Sequence, residues 1–217
     1  MTELHLPTEI ELPAFISQEA HDLKSPFNRA LGFIKLVMKG MDGPISDQAK
    51  EDLTVSYQNI QYALVLMNGL IQVARLSRGE REISLVDCPV ESTLQQLIVD
   101  WKRQYPKEKP VEVNFTTPAV GVEADDAALR QCLSNWVSYV AEFAPDNGVV
   151  DIKVEEQPEA CLFTLRSTGT KSAPPPECDL TLYGYVALRL LELNRGVLLR
   201  AEQDESGALV QFTLPKA

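Results

Sequence analysis

Near its N-terminus the chain reads Ala20-His21-Asp22-Leu23-Lys24-Ser25-Pro26, set inside a long helical pattern. One helical turn separates His21 from Ser25, so both side chains leave the same face, and Asp22 stands beside the imidazole at about 100° round the axis. The chemistry this cluster offers is that of phosphohistidine. A neutral imidazole is a nitrogen nucleophile, and a neighbouring carboxylate fixes its tautomer or accepts its proton. Asp22 fits that part or is a solvated helix charge. Lys24 pairs with phosphoryl oxygens or faces water. Pro26 has no N–H for the carbonyl of Asp22 and its ring crowds that oxygen, which predicts a bend just after the histidine that turns it outward.

The elements that must hold this cluster are two long helices. Residues 1 to 12 are polar and interrupted by Pro7, a loose lead-in. Helix 1 starts near Pro13 and carries a stripe of Phe15, Leu23, Phe27, Leu31, Ile34 and Met38. Gly40-Met41-Asp42-Gly43-Pro44 ends it. Ser46 then serves as an N-cap with Asp47 behind it, favourable to the helix dipole. The stripe of helix 2 runs through Ala49, Leu53, Tyr57, Ile60, Leu64, Met67, Ile71 and Ala74, and stop signals follow from Arg75 to Gly79. Two helices of about 30 residues joined by a short loop cannot bury both stripes alone, so a second copy is expected to complete a four-helix bundle. The periodicity by itself would equally suit a coiled-coil scaffold without chemistry; the His21 cluster speaks against that.

A second domain is expected over residues 80–217, after a hairpin domain of 1–79. Ile83-Ser84-Leu85-Val86 reads as an edge strand and Val90 to Tyr105 as a helix. Val111 to Phe115 reads as a strand, Asp126 to Phe143 as a helix, and Val149 to Glu155 and Ala160 to Arg166 as strands. Val186 to Leu193 is helical, and the chain closes on strands Val197 to Glu202 and Ala208 to Leu214. Strands and helices mixed in this way make an α/β sandwich, and the whole an α+β chain. Ala173-Pro174-Pro175-Pro176-Glu177 is a short stiff loop.

Composition narrows the function. The chain has 217 residues, 45% of them apolar, and a net charge of −11, which disfavours nucleic acid and anionic membrane surfaces in the absence of a basic patch. Cys88, Cys132, Cys161 and Cys178 are scattered without a CxxC pair, and His5 and His21 are the only histidines. No metal site is therefore expected, and the thiols read as reduced, hence cytoplasmic. The N-terminus lacks the basic and apolar regions of a signal peptide. The longest apolar stretch, Tyr62 to Ala74, is too short to span a bilayer.

The order His21-Asp22-Leu23-Lys24-Ser25-Pro26 resembles the H-box of two-component sensor histidine kinases, where the histidine carries the phosphoryl group on a dimeric helical hairpin. Residues 83–217 resemble the ATP-binding domain that follows it. That resemblance departs from the family at the nucleotide. In Leu129 to Tyr139 the family's magnesium-binding asparagine aligns with Tyr139, and Asn135 matches only an earlier one. Ser167 stands for the aspartate that accepts from the adenine amino group, and Lys171 for a glycine of the same motif. Tyr183, in Thr181-Leu182-Tyr183-Gly184, stands where the family has a glycine against the phosphates, and the lid from Lys171 to Leu180 is short. The resemblance thus implies a degenerate ATPase-like sandwich that binds neither ATP nor its metal.

A phosphoacceptor hairpin without a working kinase resembles the histidine phosphotransferases of bacterial phosphorelays. The partners implied are response-regulator receiver domains, or a hybrid sensor kinase, with the receiver bringing the Mg²⁺. Ser25 takes the position where the family often has a Thr or Asn that orients a hydrolytic water. Asn28, Arg29, Gly32, Phe33 and Leu36, one and more turns on from His21, are the candidates for receiver docking; Phe33 competes with Ile34 for a place in the core. The alternative is a dimeric pseudokinase adaptor that modulates a response regulator or a sensor kinase without carrying phosphate.

Overall fold

A computed structural model describes residues 11–41, 43–104, 111–144, 148–168, 181–204 and 207–217. The chain divides into two compact units, residues 1–81 and 82–217.

The first unit is a helical hairpin. Helix α1 spans Leu12–Met38, with Pro13 in its first turn, where a missing N–H costs nothing. It runs unbroken through Pro26, the turns on either side carrying it across one absent hydrogen bond. Gly40, at φ +74°, takes the left-handed conformation that stops it. Helix α2 spans Asp47–Ser77, and the Ser46 hydroxyl accepts from the Ala49 amide at 3.2 Å, the expected N-cap. The helices are antiparallel: Arg78 Nε at the end of α2 lies 3.7 Å from Glu11 Oε1 before α1, and the Lys35 ammonium lies 5.3 Å from the centre of the Tyr57 ring.

Ala20, Met67, Ile71 and Ala74 are the buried residues of the described hairpin. Phe27, Leu31, Ile34 and Met38 join them half-buried, as does the N-terminal part of the α2 stripe. Phe15 and Leu23, expected in the α1 stripe, are 47% and 50% exposed. At about 100° per residue they sit some 60–140° away from Ala20, on a second apolar strip that one chain leaves uncovered.

The second unit is a five-stranded sheet covered on one face by three helices. The sheet order is β2 (Glu112–Thr116), β4 (Val149–Glu156), β5 (Ala160–Thr168), β7 (Gly207–Pro215), β6 (Val197–Asp204); β2 and β4 are parallel and the other pairs antiparallel. Val150, Ile152, Val154, Cys161, Phe163, Leu165, Val210, Phe212 and Leu214 alternate into the core, the period-two signature of a sheet with one dry face. Helices α3 (Val90–Gln104), α4 (Asp126–Glu142) and α5 (Leu182–Leu193) close it. Phe163 stacks on Phe212 at 5.0 Å between centroids, and Trp136 of α4 stacks on Phe212 at 6.3 Å. Asn194, fully buried, accepts from the Asp125 amide at 2.7 Å and donates to the Leu190 carbonyl at 2.8 Å, tying the end of α5 to the start of α4.

Most elements lie within one or two residues of expectation, and the first and third strands and α5 differ by more. The strand after the hairpin is β1, Val86–Pro89, and not Ile83 to Val86, because the segment that pairs is the one facing β3, Gly121–Ala124. That four-residue strand went unread: its only strong former is Val122. Helix α5 begins at Leu182, four residues early, because Thr181 caps it by accepting from the Gly184 amide at 3.5 Å. Cys88, Cys132 and Cys161 are buried free thiols, and burial drives the Cys132 thiol far up from its ordinary value.

Candidate functional site

Helix α1 sets His21 one residue past the buried Ala20, so the ring swings about 100° out of the core and its side chain is 77% exposed. Exposure therefore comes from helical phase and needs no bend at Pro26. Asp22 Oδ1 lies 3.4 Å from His21 Nδ1, a long contact that orients the ring more than it fixes it. The other carboxylate oxygen, Oδ2, accepts from the Gln18 amide at 3.1 Å. The Gln18 amide first, and the His21 ring second, hold the Asp22 carboxyl below the usual carboxylate value. With a proton on Nδ1 facing Asp22, Nε2 on the far edge of the ring is the nucleophilic nitrogen.

Gln18 was missed by the sequence reading. Its signal is a Gln four residues before an Asp, a stabilising pair on a helix. Lys24 is half-buried and Ser25 exposed.

The residues beyond His21 fall into two sets. Measured round α1 from Ala20, His21, Ser25, Asn28 and Gly32 lie at about 80–140° on one side, with Leu36 and Arg29 a little further round. Nothing stands within 4 Å of a Cβ built on Gly32, so the strip is open there. Leu36 is 44% exposed beside it. Phe33 is 69% exposed and Ile34 half-buried, which decides between them: Ile34 takes the core position. Phe33 lies on the opposite side from His21, in line with Leu12, Phe15, Leu23, Pro26 and Val37.

In the second unit, Tyr139 is buried with its ring edge-on to Trp136 at 5.7 Å and to Phe143 at 5.4 Å. The Asn135 amide donates to the Gln131 carbonyl of its own helix at 2.7 Å. Ser167, 1% exposed, accepts from the Ala208 amide at 2.9 Å through its hydroxyl. Gly207, at φ +134°, sits so close over it that an added Cβ would lie 2.5 Å from the Ser167 carbonyl oxygen. Tyr183 is half-buried in the first turn of α5. Lys171, the lid from Lys171 to Leu180, the proline run 173–177 and Cys178 lie outside the described residues, as do the lead-in residues 1–10 with His5, and Tyr105. Among the described residues no group of three metal-ligating side chains occurs, and no helix is long and apolar enough to cross a membrane.

No protein-family model matches the chain. In sequence it is 24% identical over 225 residues to the non-motile and phage-resistance protein of Caulobacter vibrioides, across 93% of this chain and 27% of that protein. It is 24% identical over 166 residues to the histidine protein kinase DivJ of the same organism, across 74% of this chain and 27% of the relative. The chain thus spans about a quarter of the length of these curated relatives. In structure it resembles full-length ShkA in complex with AMPPNP, with a TM-score of 0.68 and 21% identity, over 94% of this chain and 46% of that one. A helical hairpin followed by this sandwich is a histidine-kinase-like fold.

Proposed function

We propose that the protein is a histidine phosphotransferase of a two-component phosphorelay, passing a phosphoryl group between receiver-domain aspartates through His21 without using ATP. The observation that carries this reading is the contrast between an exposed His21, its Nδ1 turned toward Asp22, and a sandwich whose corresponding nucleotide positions are engaged in packing. Tyr139, which the resemblance aligns with a metal ligand, is a buried ring, and the Ser167 hydroxyl accepts from the Ala208 amide. The Thr181 cap already faces the Gly184 amide, one of the N–H groups a phosphate would need. A phosphoryl group must then come from outside.

Transfer needs little from this chain. The Nε2 lone pair attacks phosphorus in line, the bond from phosphorus to the aspartyl oxygen breaks, and the carboxylate of the receiver leaves with the electron pair. The proton on Nδ1 leans on Asp22 as positive charge grows in the ring. The receiver supplies Mg²⁺ and most of the charge neutralisation, so His21 contributes position and a lone pair. Asn28, Arg29, Gly32 and Leu36 form the docking strip beside His21, open at Gly32 to close approach by the receiver. The strip of Leu12, Phe15, Leu23 and Phe33 is assigned to a second copy, which completes a four-helix bundle and covers the apolar surface that α1 and α2 leave open.

The test is phosphotransfer from a phosphorylated receiver domain to wild type and to His21→Ala. Acid-labile, base-stable label on wild type alone supports the relay. Absence of label where a known phosphotransferase is labelled replaces it with the adaptor. Calorimetry with ATP and Mg²⁺ should show no binding; micromolar affinity would restore a kinase.

A further inference from the structure

The side chain that sets up His21 has a support of its own. Gln18, Asp22 and His21 form a chain of contacts along one helix: the Gln18 amide donates to Asp22 Oδ2 at 3.1 Å, and Asp22 Oδ1 faces His21 Nδ1 at 3.4 Å. Both ends of the carboxylate are engaged, so its plane is set by Gln18 on one side and by the imidazole on the other. A carboxylate free at Oδ2 would rotate about its terminal torsion, which is broad for Asp. The 3.4 Å contact is too long to hold it alone.

We propose that Gln18 is a positioning residue for phosphoryl transfer: it holds the Asp22 carboxylate edge-on to Nδ1, so that the imidazole keeps its proton there and presents Nε2 to the phosphorus. This rests on His21 being the phosphoacceptor. The three side chains are exposed and belong to one helix, so the effect is local and separable from folding. The lowered carboxyl of Asp22, for which the Gln18 amide is the first cause, points the same way. Asp22 stays ionised, and an ionised carboxylate favours the Nδ1–H form of the ring.

The experiment compares wild type, Gln18→Leu and Gln18→Lys in the full chain. Leucine keeps the helix propensity of glutamine and removes the donor; lysine restores a donor to Asp22 four residues on. Two readouts are taken. ¹⁵N chemical shifts of the His21 ring give the ratio of Nδ1–H to Nε2–H forms. Phosphoramidate gives the rate of labelling without any receiver: Nε2 bonds to phosphorus while the P–N bond of the donor breaks and ammonia leaves with the electron pair. In Gln18→Leu the Nδ1–H to Nε2–H ratio and the labelling rate should both fall about threefold to tenfold, the span of one typical net hydrogen bond at an exposed site, with unchanged helicity, and Gln18→Lys should recover both to within about twofold. An unaltered ratio and rate in Gln18→Leu overturns the assignment, as does a loss that Gln18→Lys fails to recover. If the ratio shifts as expected while no phosphorylated receiver labels wild type, the positioning role stands and the relay falls.

Discussion

In the sandwich, β4, β5 and β7 bury alternate residues beneath three helices, and Leu133, Trp136, Phe163 and Phe212 are wholly covered. In the hairpin, four described residues are buried while Leu12, Phe15, Leu23, Phe33, Val55, Tyr62, Val65 and Leu70 remain 43–69% exposed. One unit closes its core by itself and spends its polar side chains on that closure, Ser167 on Ala208 and Asn194 on Asp125. The other keeps its polar cluster at the surface and its packing unfinished. In the proposed relay the chemistry sits on the hairpin, where His21 is exposed and apolar side chains remain uncovered.

That contrast can be broken most sharply at His21. His21→Ala should bring receiver-driven labelling down to background while circular dichroism and self-association are kept, because an exposed helical position tolerates alanine within about 0.5 kcal/mol. A matched pair of phenylalanines comes next. Phe212→Ala in the sheet should cost about 3–5 kcal/mol in denaturant unfolding. Phe33→Ala should leave that transition where it was, and should instead weaken self-association in sedimentation. Equal losses of stability at the two sites would erase the distinction between the units.

Smaller effects sharpen it. Asn194→Ala removes the buried carboxamide that accepts from the Asp125 amide and donates to the Leu190 carbonyl, and should cost about 1–3 kcal/mol, read from the same unfolding curve. Ser46→Ala removes only the N-cap of α2, an exposed hydrogen bond, and should cost about 1 kcal/mol in the melting of the hairpin.

What could be read from the sequence follows from how local each signal is. Ser46, Gly40 and Gly79 mark the helix ends through their own backbone and neighbours, so α1 and α2 were legible to within a few residues. Strand β1 was displaced and β3 missed because their pairing, Val86 with Ala124, joins positions 38 residues apart and leaves no short-range trace. Phe33 and Ile34 were inseparable in the sequence because α1 carries two apolar strips and a periodicity count expects one. Asp22 is legible as the neighbour of His21 and Gln18 as a helical partner of Asp22, whereas the link from Gln18 to the ring comes into view only with the 3.1 and 3.4 Å contacts at the two carboxylate oxygens. Ser167 was read as a missing ligand; that its hydroxyl seals the start of β7 depends on a contact across 41 residues.

The two strips of α1 leave its buried ridge on opposite flanks, and this has a consequence for traffic through the proposed relay. A receiver seated over His21 and Gly32 and a second copy seated over Leu23 and Phe33 occupy separate ground, so cargo can be exchanged without taking the assembly apart. In such a relay each copy can serve its own visitor.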